Sequence, residues 1–541
     1  MSRPSFVELL AGSSPLRRLA GALFRRYARR RVRQIERRPV GAGQHETLLR
    51  LVRHAASTRF GREHDFATIH SVRDYQARVP LRDYEAFWRD YWQPAFPDVR
   101  DVTWPGHVPY YALSSGTTSG ATKYVPVSPE MLASNRRAAL TSLAWFQDAY
   151  NGPSLFAGRL LFLGGSTDLQ RLAAPGRAPT LAGDLSGIAT REVPAFLRPY
   201  TFPPLDLALE RDWERKLQML AERSAPLPIS LVSGVPSWLL TFFERLLQVT
   251  GRRHVADVWP TLRVVVHGGT RFDPYRTLFR QVIGNDEVRF LDVYPASEGF
   301  VAAEDPRHGR LRLITDHDIF FEFVRVEELP KERPARHTVA EVVTGVEYAV
   351  VLTTCAGLWG YVLGDTVCFE RRDPPLLRFT GRTRYFLSAF GEHLISEEVE
   401  RAVAAAAEVT GAAVTDFHVG PVFPEAAGTP GRHRYLVEFA RPPFSVEEFG
   451  RRLDAALCRV NEDYRAHRAG DLTLRAPEVW AVRRGGFAGW MRSRGKLGGQ
   501  HKVPRMDNDG QTTGELARWL DENQMTASRP AAPASVVGDV P

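Results

Sequence analysis

Beyond Gly106, short β-rich runs alternate with stretches of helical periodicity, and this alternation restricts the fold more than any other feature of the chain. The strand candidates are Arg159–Leu163, Ile229–Ser233, Leu262–His267, Val288–Tyr294 and Tyr348–Thr353. Helix candidates such as Trp213–Arg223 and Ser237–Val249 lie between them. Strands with two apolar faces need helices to cover them, so the order predicts an α/β domain with largely parallel pairing within mixed sheets. After about Arg382 the order becomes strand (Tyr385–Phe390), helix (Glu397–Val409) and two strands (Ala413–Val419, Arg434–Phe439). A second helix opening at Ser445–Glu448, read as a capping box, and a last strand near Glu478–Val482 complete a small α+β domain. The expected layout is a basic leader helix over 1–40, a large domain over 41–381, a small mobile C-terminal domain over 382–525 and a disordered tail over 526–541.

Charge separates the leader from the rest. The chain of 541 residues has 71 Lys+Arg against 62 Asp+Glu, a net +9. Residues 1–40 hold eleven arginines and two glutamates, so the whole surplus sits there and the remaining 501 residues are neutral. A nucleic-acid binder would interleave basic residues with stacking aromatics across its fold, so nucleic acid is not an expected partner. In the leader, apolar residues from Leu16 to Ile35 recur at helical spacing and arginines fill the remaining arc. The apolar stripe is expected to dock on the protein body, the alternative being contact of residues 16–38 with an anionic membrane or an acidic partner. On this reading, removing residues 1–40 leaves the chemistry of the body largely intact. The longest apolar stretch, Ile229–Phe243, is broken by Gly234 and Pro236 and is too short to span a bilayer. Cys355, Cys368 and Cys458 form no CxxC pair, which favours a reducing compartment. A cytoplasmic monomer is expected.

Five segments carry the residue types that phosphate chemistry needs. The first is Ser114–Lys123, SSGTTSGATK. Gly116 and Gly120 let the backbone approach a ligand, Ser114, Ser115, Thr117 and Thr118 add hydroxyl donors, and Lys123 ends the loop with a cation. The spacing is not that of a Walker A loop. Only five of the 71 basic residues are lysines, so a retained lysine points to a need for a compact ammonium. The second segment, Tyr294–Glu298 (YPASE), follows a strand candidate and places Glu298 where a carboxylate can hold Mg²⁺ between phosphates. The third, Gly357–Asp365 (GLWGYVLGD), offers Asp365 to ribose hydroxyls. The fourth, Phe379–Arg382, lies at the change of pattern between the two domains, and the fifth, Gly499–Arg505, carries Lys502.

In this order and spacing the segments resemble the auxin-responsive (Gretchen Hagen) family of acyl-acid amido synthetases, a branch of the adenylate-forming enzymes. The resemblance runs from about His45 to about Trp519 and includes Thr58–Gly61 and Val79–Tyr84. It implies that the Ser114–Lys123 loop holds ATP phosphates, that Tyr294 lies near adenine with Ser297 beside it, and that Glu298 binds Mg²⁺. It further implies that Asp365 binds ribose, that Arg382 starts a hinge ending in Gly391–Glu392, and that Lys502 acts from the Gln500–Arg505 stretch. His267, Gly268, Gly269 and Thr270 resemble the segment where the family places adenine.

The implied reaction has two halves. A carboxylic acid attacks the α-phosphorus of ATP, with Lys123 and Lys502 as catalytic cations, pyrophosphate leaves, and an amine or amino acid then takes the acyl group from the acyl-adenylate, releasing AMP. The small domain would turn about Arg382 between the halves. This chain departs from the family at Val362 and Gly360, where arginines are common, and at His393, where lysine is common. Two other readings stay open: an acyl-adenylating ligase with a thiol acceptor, and a silent nucleotide-binding homologue.

Overall fold

The computed structural model describes residues 14–529 except 115–121, 151, 165–168, 173–178, 195–196, 211, 269–271, 273–274, 384–385, 425–428, 472 and 495–502. Two compact units organise the chain, a large one running to Thr383 and a small one made mainly of the residues beyond it.

The alternating segments of the large unit build a 12-stranded sheet. Thr201–Phe202, Arg159–Phe162, Ile229–Gly234, Val264–Gly268 and Arg289–Ala296 pair in parallel, as the alternation predicts. From the Arg289–Ala296/Gly299–Asp305 hairpin onward, every pairing is antiparallel. Tyr348–Thr353 therefore belongs to an antiparallel half, a correction to the largely parallel expectation. The cause is connection length: only Ser297 and Glu298 separate Ala296 from Gly299, and only residues 355–360 separate Thr354 from Tyr361. A parallel crossover needs about a dozen residues or more.

The basic helix, Ser14–Arg37, is part of the large unit's core and not a detachable leader. Phe24, Ala28 and Val32 are buried, with Phe24 4.7 Å from the ring of Phe156 and Val32 in a cluster with Trp145 and Ile314. One arginine joins this inner face. Arg31 is buried and donates to Asp316 Oδ1 at 2.7 Å and to Thr141 Oγ1 at 3.0 Å. Glu36 accepts from Arg312 at 2.6 Å and Arg307 at 3.0 Å. Apolar spacing forecasts the docking but not the ion pairs, because periodicity carries no information about charged groups on the buried side.

The Arg31–Asp316 pair gives a pH-dependent stability. Burial alone would raise the Asp316 pKa, but the hydrogen bond and charge of Arg31 outweigh it and hold the carboxyl below its ordinary value. A depressed carboxyl stabilises the fold above its unfolded pKa, about 3.9, and that contribution disappears as pH falls through the folded value. Arg31→Met is expected to cost about 3–5 kcal/mol at neutral pH, since it strands a carboxylate whose side chain is only 14% exposed. The deficit against the parent protein should shrink as pH drops below about 4 in parallel urea titrations, and a deficit independent of pH would contradict the pairing.

In the small unit, strands Ala413–Val422, Arg432–Arg441, Glu478–Val482 and Thr526–Ser528 form one sheet, with helices at Ser396–Thr410 and Val446–Val460. Ser445 caps the second helix by accepting from the Glu448 N–H at 3.2 Å. The Glu448 carboxylate, read as the returning half of the box, instead meets Arg451 and Arg452 at 2.7 Å each. Among the described residues of the expected strand Tyr385–Phe390, Phe386–Leu387 is extended, pairing with Leu394–Ile395. The N–H groups of Ala389 and Phe390 are withdrawn from a ladder because both donate to the buried Glu392 carboxylate. Thr526–Ser528, expected to start a disordered tail, is an edge strand on Glu478–Val482. Among the described residues no helix is long and apolar enough to cross a membrane.

Candidate functional site

The loop read as a phosphate cradle closes a β-hairpin. Tyr110–Ser114 pairs with Lys123–Val127, and Ser114 lies directly opposite Lys123. Ser115, Gly116, Thr117, Thr118 and Gly120 fall outside the described residues, so the structure fixes the two ends of the loop. Lys123 is buried, with its ammonium 5.1 Å from the centre of the Tyr84 ring. Tyr84 is held in turn: its hydroxyl accepts from the Tyr124 N–H at 2.8 Å, and Asp83 caps its short helix by accepting from the Ala86 N–H at 3.0 Å. Burial, with the charges of Glu85 and Glu298 adding to it, pushes the Tyr84 phenol above its ordinary pKa. The ring face beneath Lys123 is therefore neutral and suited to a cation.

The second and third motifs are bonded to each other by two rungs. Tyr294 Oη donates to Asp365 Oδ2 at 2.6 Å, and Tyr361 Oη donates to Glu298 Oε1 at 2.9 Å. Asp365, Glu298 and Tyr361 are all buried. Glu298 stands in the two-residue turn where parallel pairing gives way to antiparallel, and half-buried Ser297 precedes it. The short connection thus puts Glu298 at the switch of the sheet, where ligands collect in open α/β folds, and the Tyr294 hydroxyl ties Asp365 to the switch strand Arg289–Ala296. Burial first, then the Glu298 charge, raises the Tyr361 phenol well above its ordinary value, so it remains a donor. Tyr361→Phe removes that donor from a buried carboxylate. The expected loss is about 2 kcal/mol in urea unfolding, and an unchanged midpoint would show that Glu298 does not depend on Tyr361.

The remaining predicted residues are distributed as follows. Gly268 ends strand Val264–Gly268 opposite Val293, and a Cβ there would lie 2.4 Å from the Val293 carbonyl oxygen, so only glycine fits. His267 stacks on Phe272 at 3.8 Å and lies 3.5 Å from Asp292. Gly269 and Thr270 are outside the described residues. Arg382 faces Asp365 across the strand pair Tyr361–Arg371/Leu376–Arg382. In the small unit, Glu392 is a buried anchor. Burial would raise its pKa, but His433, donating at 2.8 Å, holds it below the ordinary carboxylate value. Lys502 and Gln500 are outside the described residues, while Arg505 is fixed to Asp416 at 2.7 Å.

Of the departures from the family pattern, the one at Gly360 has a local cause. Gly360 has φ +55°, and a Cβ there would meet the Pro80 carbonyl oxygen at 3.1 Å and the Arg336 guanidinium at 3.3 Å. The room beside it is taken by Arg336, which is paired with Glu322. The Val362 N–H donates to the Arg82 carbonyl at 2.9 Å. His393 sits at φ +43° with its ring 3.5 Å from Asp463.

Tyr84 and Tyr361 are the two site residues that motif reading missed. Both lie inside segments singled out from the sequence, but a tyrosine acting through a neighbour's carboxylate or ammonium leaves no spacing signature. Among the described residues no group of three or more His, Cys, Asp or Glu forms a metal cage. Glu298 alone fits Mg²⁺, which takes one or two carboxylates and fills the rest of its shell with phosphate oxygens and water.

The large unit thus combines a mixed 12-stranded sheet bearing two tyrosine-held carboxylates with a separate four-stranded sheet that carries the phosphate-loop hairpin, a fold it shares with solved adenylate-forming enzymes. An acyl acid amido synthetase solved with 2,4-DB, AtGH3.15, superposes with a TM-score of 0.56 at 16% identity, covering 98% of each chain. A 2-hydroxyisobutyryl-CoA ligase solved with 2-HIB-AMP and CoA gives 0.52 at 14% identity, over 89% of this chain and 92% of that one. The profiles of the GH3 family N-terminal, central and C-terminal domains match residues 30–171, 312–382 and 397–511. The chain belongs to the GH3 family. It is 30% identical over 195 residues to the indole-3-acetic acid-amido synthetase GH3.3 of Arabidopsis thaliana, spanning 34% of this chain and 33% of that protein's length.

Proposed function

We propose that the protein is an ATP-dependent acyl-acid amido synthetase, which activates a carboxylic acid as acyl-AMP and passes the acyl group to an amine or amino acid. The observation that carries this reading is the pair of buried rungs, Tyr294–Asp365 and Tyr361–Glu298, in the same unit as the Lys123 hairpin. Family membership and the named activities of the relatives support it.

Each residue has a physical task. Attack of a carboxylate on a polyphosphate brings two anions together, so the barrier falls only where fixed positive groups meet the developing charge. Lys123 supplies one such charge, oriented by Tyr84, and the N–H groups of residues 114–120 supply dipoles. Lys502 is the second proposed cation. Asp365, held by Tyr294, accepts from ribose hydroxyls, and Gly268 with Gly269 and Thr270 borders the base. Mg²⁺ on Glu298 would neutralise phosphate oxygens when bound, and Tyr361 keeps that carboxylate turned toward them.

In the second half the amine attacks the carbonyl carbon, the bond to the AMP oxygen breaks, and the amine proton leaves to solvent or a base. Mass spectrometry of products, with amino acids, simple amines and coenzyme A offered together, tests the acceptor. Amides with AMP are expected, and thioesters alone would reject the amido reading.

A further inference from the structure

We infer that the outer face of helix Ser14–Arg37 is a docking surface for an anionic membrane. The inner face is committed to the protein through Phe24, Ala28, Arg31 and Val32, whereas the outer face is exposed and packs against none of the described residues. Arg26, Arg30, Arg33 and Arg37 follow one another at spacings of four, three and four, which puts them on one exposed stripe. They have no acidic partner among the described residues, and Glu36, the acid of this helix, is turned to Arg307 and Arg312. Like charges at such spacing repel, so the row costs stability unless an external anion relieves it.

Charge alone would suit any polyanion, but the same stripe continues into Leu19 and Leu23, which are 54% and 60% exposed. Leucines in line with arginines over roughly 27 Å of helix form a strip that can press apolar tips among acyl chains while guanidinium groups meet lipid phosphates. A nucleic-acid backbone offers nothing to the leucines. Among the described residues, the cavity along this face is lined by arginines with only Ala22 and Gln34 between them, so it offers no apolar seat for a protein segment. Because the rest of the chain is neutral, this strip alone would orient the protein on a negatively charged surface.

The test is co-sedimentation of the full-length protein with vesicles of phosphatidylcholine and with vesicles of equal parts phosphatidylcholine and phosphatidylglycerol. Binding to the mixed vesicles only is expected. Combining Arg26→Gln, Arg30→Gln, Arg33→Gln and Arg37→Gln should weaken it at least about a hundredfold, since each basic group near such a surface contributes about fivefold. Lysine at the same four positions should retain binding. Leu19→Ser with Leu23→Ser should weaken vesicle binding about tenfold and leave binding to heparin unchanged. All six positions are exposed, so melting temperatures should not fall. Failure to bind mixed vesicles, indifference of vesicle binding to the leucine pair, or tighter binding to duplex DNA than to vesicles would each overturn the inference.

Discussion

Lys123→Met is expected to lower acid-dependent ATP–pyrophosphate exchange by about a hundredfold to a thousandfold with little change in fold, the usual cost of deleting one fixed charge at a developing anion. Methionine keeps the length and apolar stem of the side chain and removes only the ammonium. That ammonium lies over the Tyr84 ring in a buried position at the mouth of the loop, opposite Ser114. Lys123→Arg should restore less than a tenth of the lost rate. A planar guanidinium does not fit where a compact ammonium sits on a ring that is itself pinned to the Tyr124 N–H. The composition agrees: a chain that uses 66 arginines keeps lysine at five positions, and this is one of them. Exchange within a few-fold of the parent enzyme in Lys123→Met, with the protein folded, would remove Lys123 from the chemistry.

Deleting residues 1–40 is expected to destabilise the large unit by at least about 6 kcal/mol. Loss of the buried Phe24 and Val32 side chains costs about 1.5–3 kcal/mol each. Stranding Asp316, whose carboxylate is paired with Arg31, adds about 3–5 kcal/mol. Against a typical total of about 5–15 kcal/mol, the truncated protein should be expressed largely unfolded or melt far below the parent. A charge-based reading treats the leader as dispensable; the packing reverses that expectation. A truncation that melts at the parent temperature and adenylates normally would show that the helix is an ornament on a self-sufficient fold.

The contrast shows what kinds of information sequence periodicity holds. It placed Ile229–Gly234, Val264–Gly268 and Arg289–Ala296 within a residue or two, because strand ends there coincide with turn residues and apolar runs. It did not show that Tyr348–Thr353 lies in an antiparallel half, although the six residues separating Thr354 from Tyr361 already forbid a crossover. Ser114, Lys123, Tyr294, Glu298 and Asp365 are legible by type and order as candidates for the site. Their mutual arrangement is not: the Tyr294–Asp365 bond joins residues 71 apart and the Tyr361–Glu298 bond residues 63 apart. The same limit hid Arg31. Eleven arginines read alike as a basic leader, and tertiary packing singles out Arg31 as the one buried among the described residues.

The most direct test of the proposed chemistry is pyrophosphate exchange across a panel of aryl and fatty acids, run side by side for the parent protein and Glu298→Gln. The account predicts exchange that requires ATP, Mg²⁺ and a particular acid, and that falls at least about a hundredfold in the variant. Exchange undiminished in Glu298→Gln, or ATP binding by the parent with no acid-dependent exchange anywhere in the panel, would contradict it.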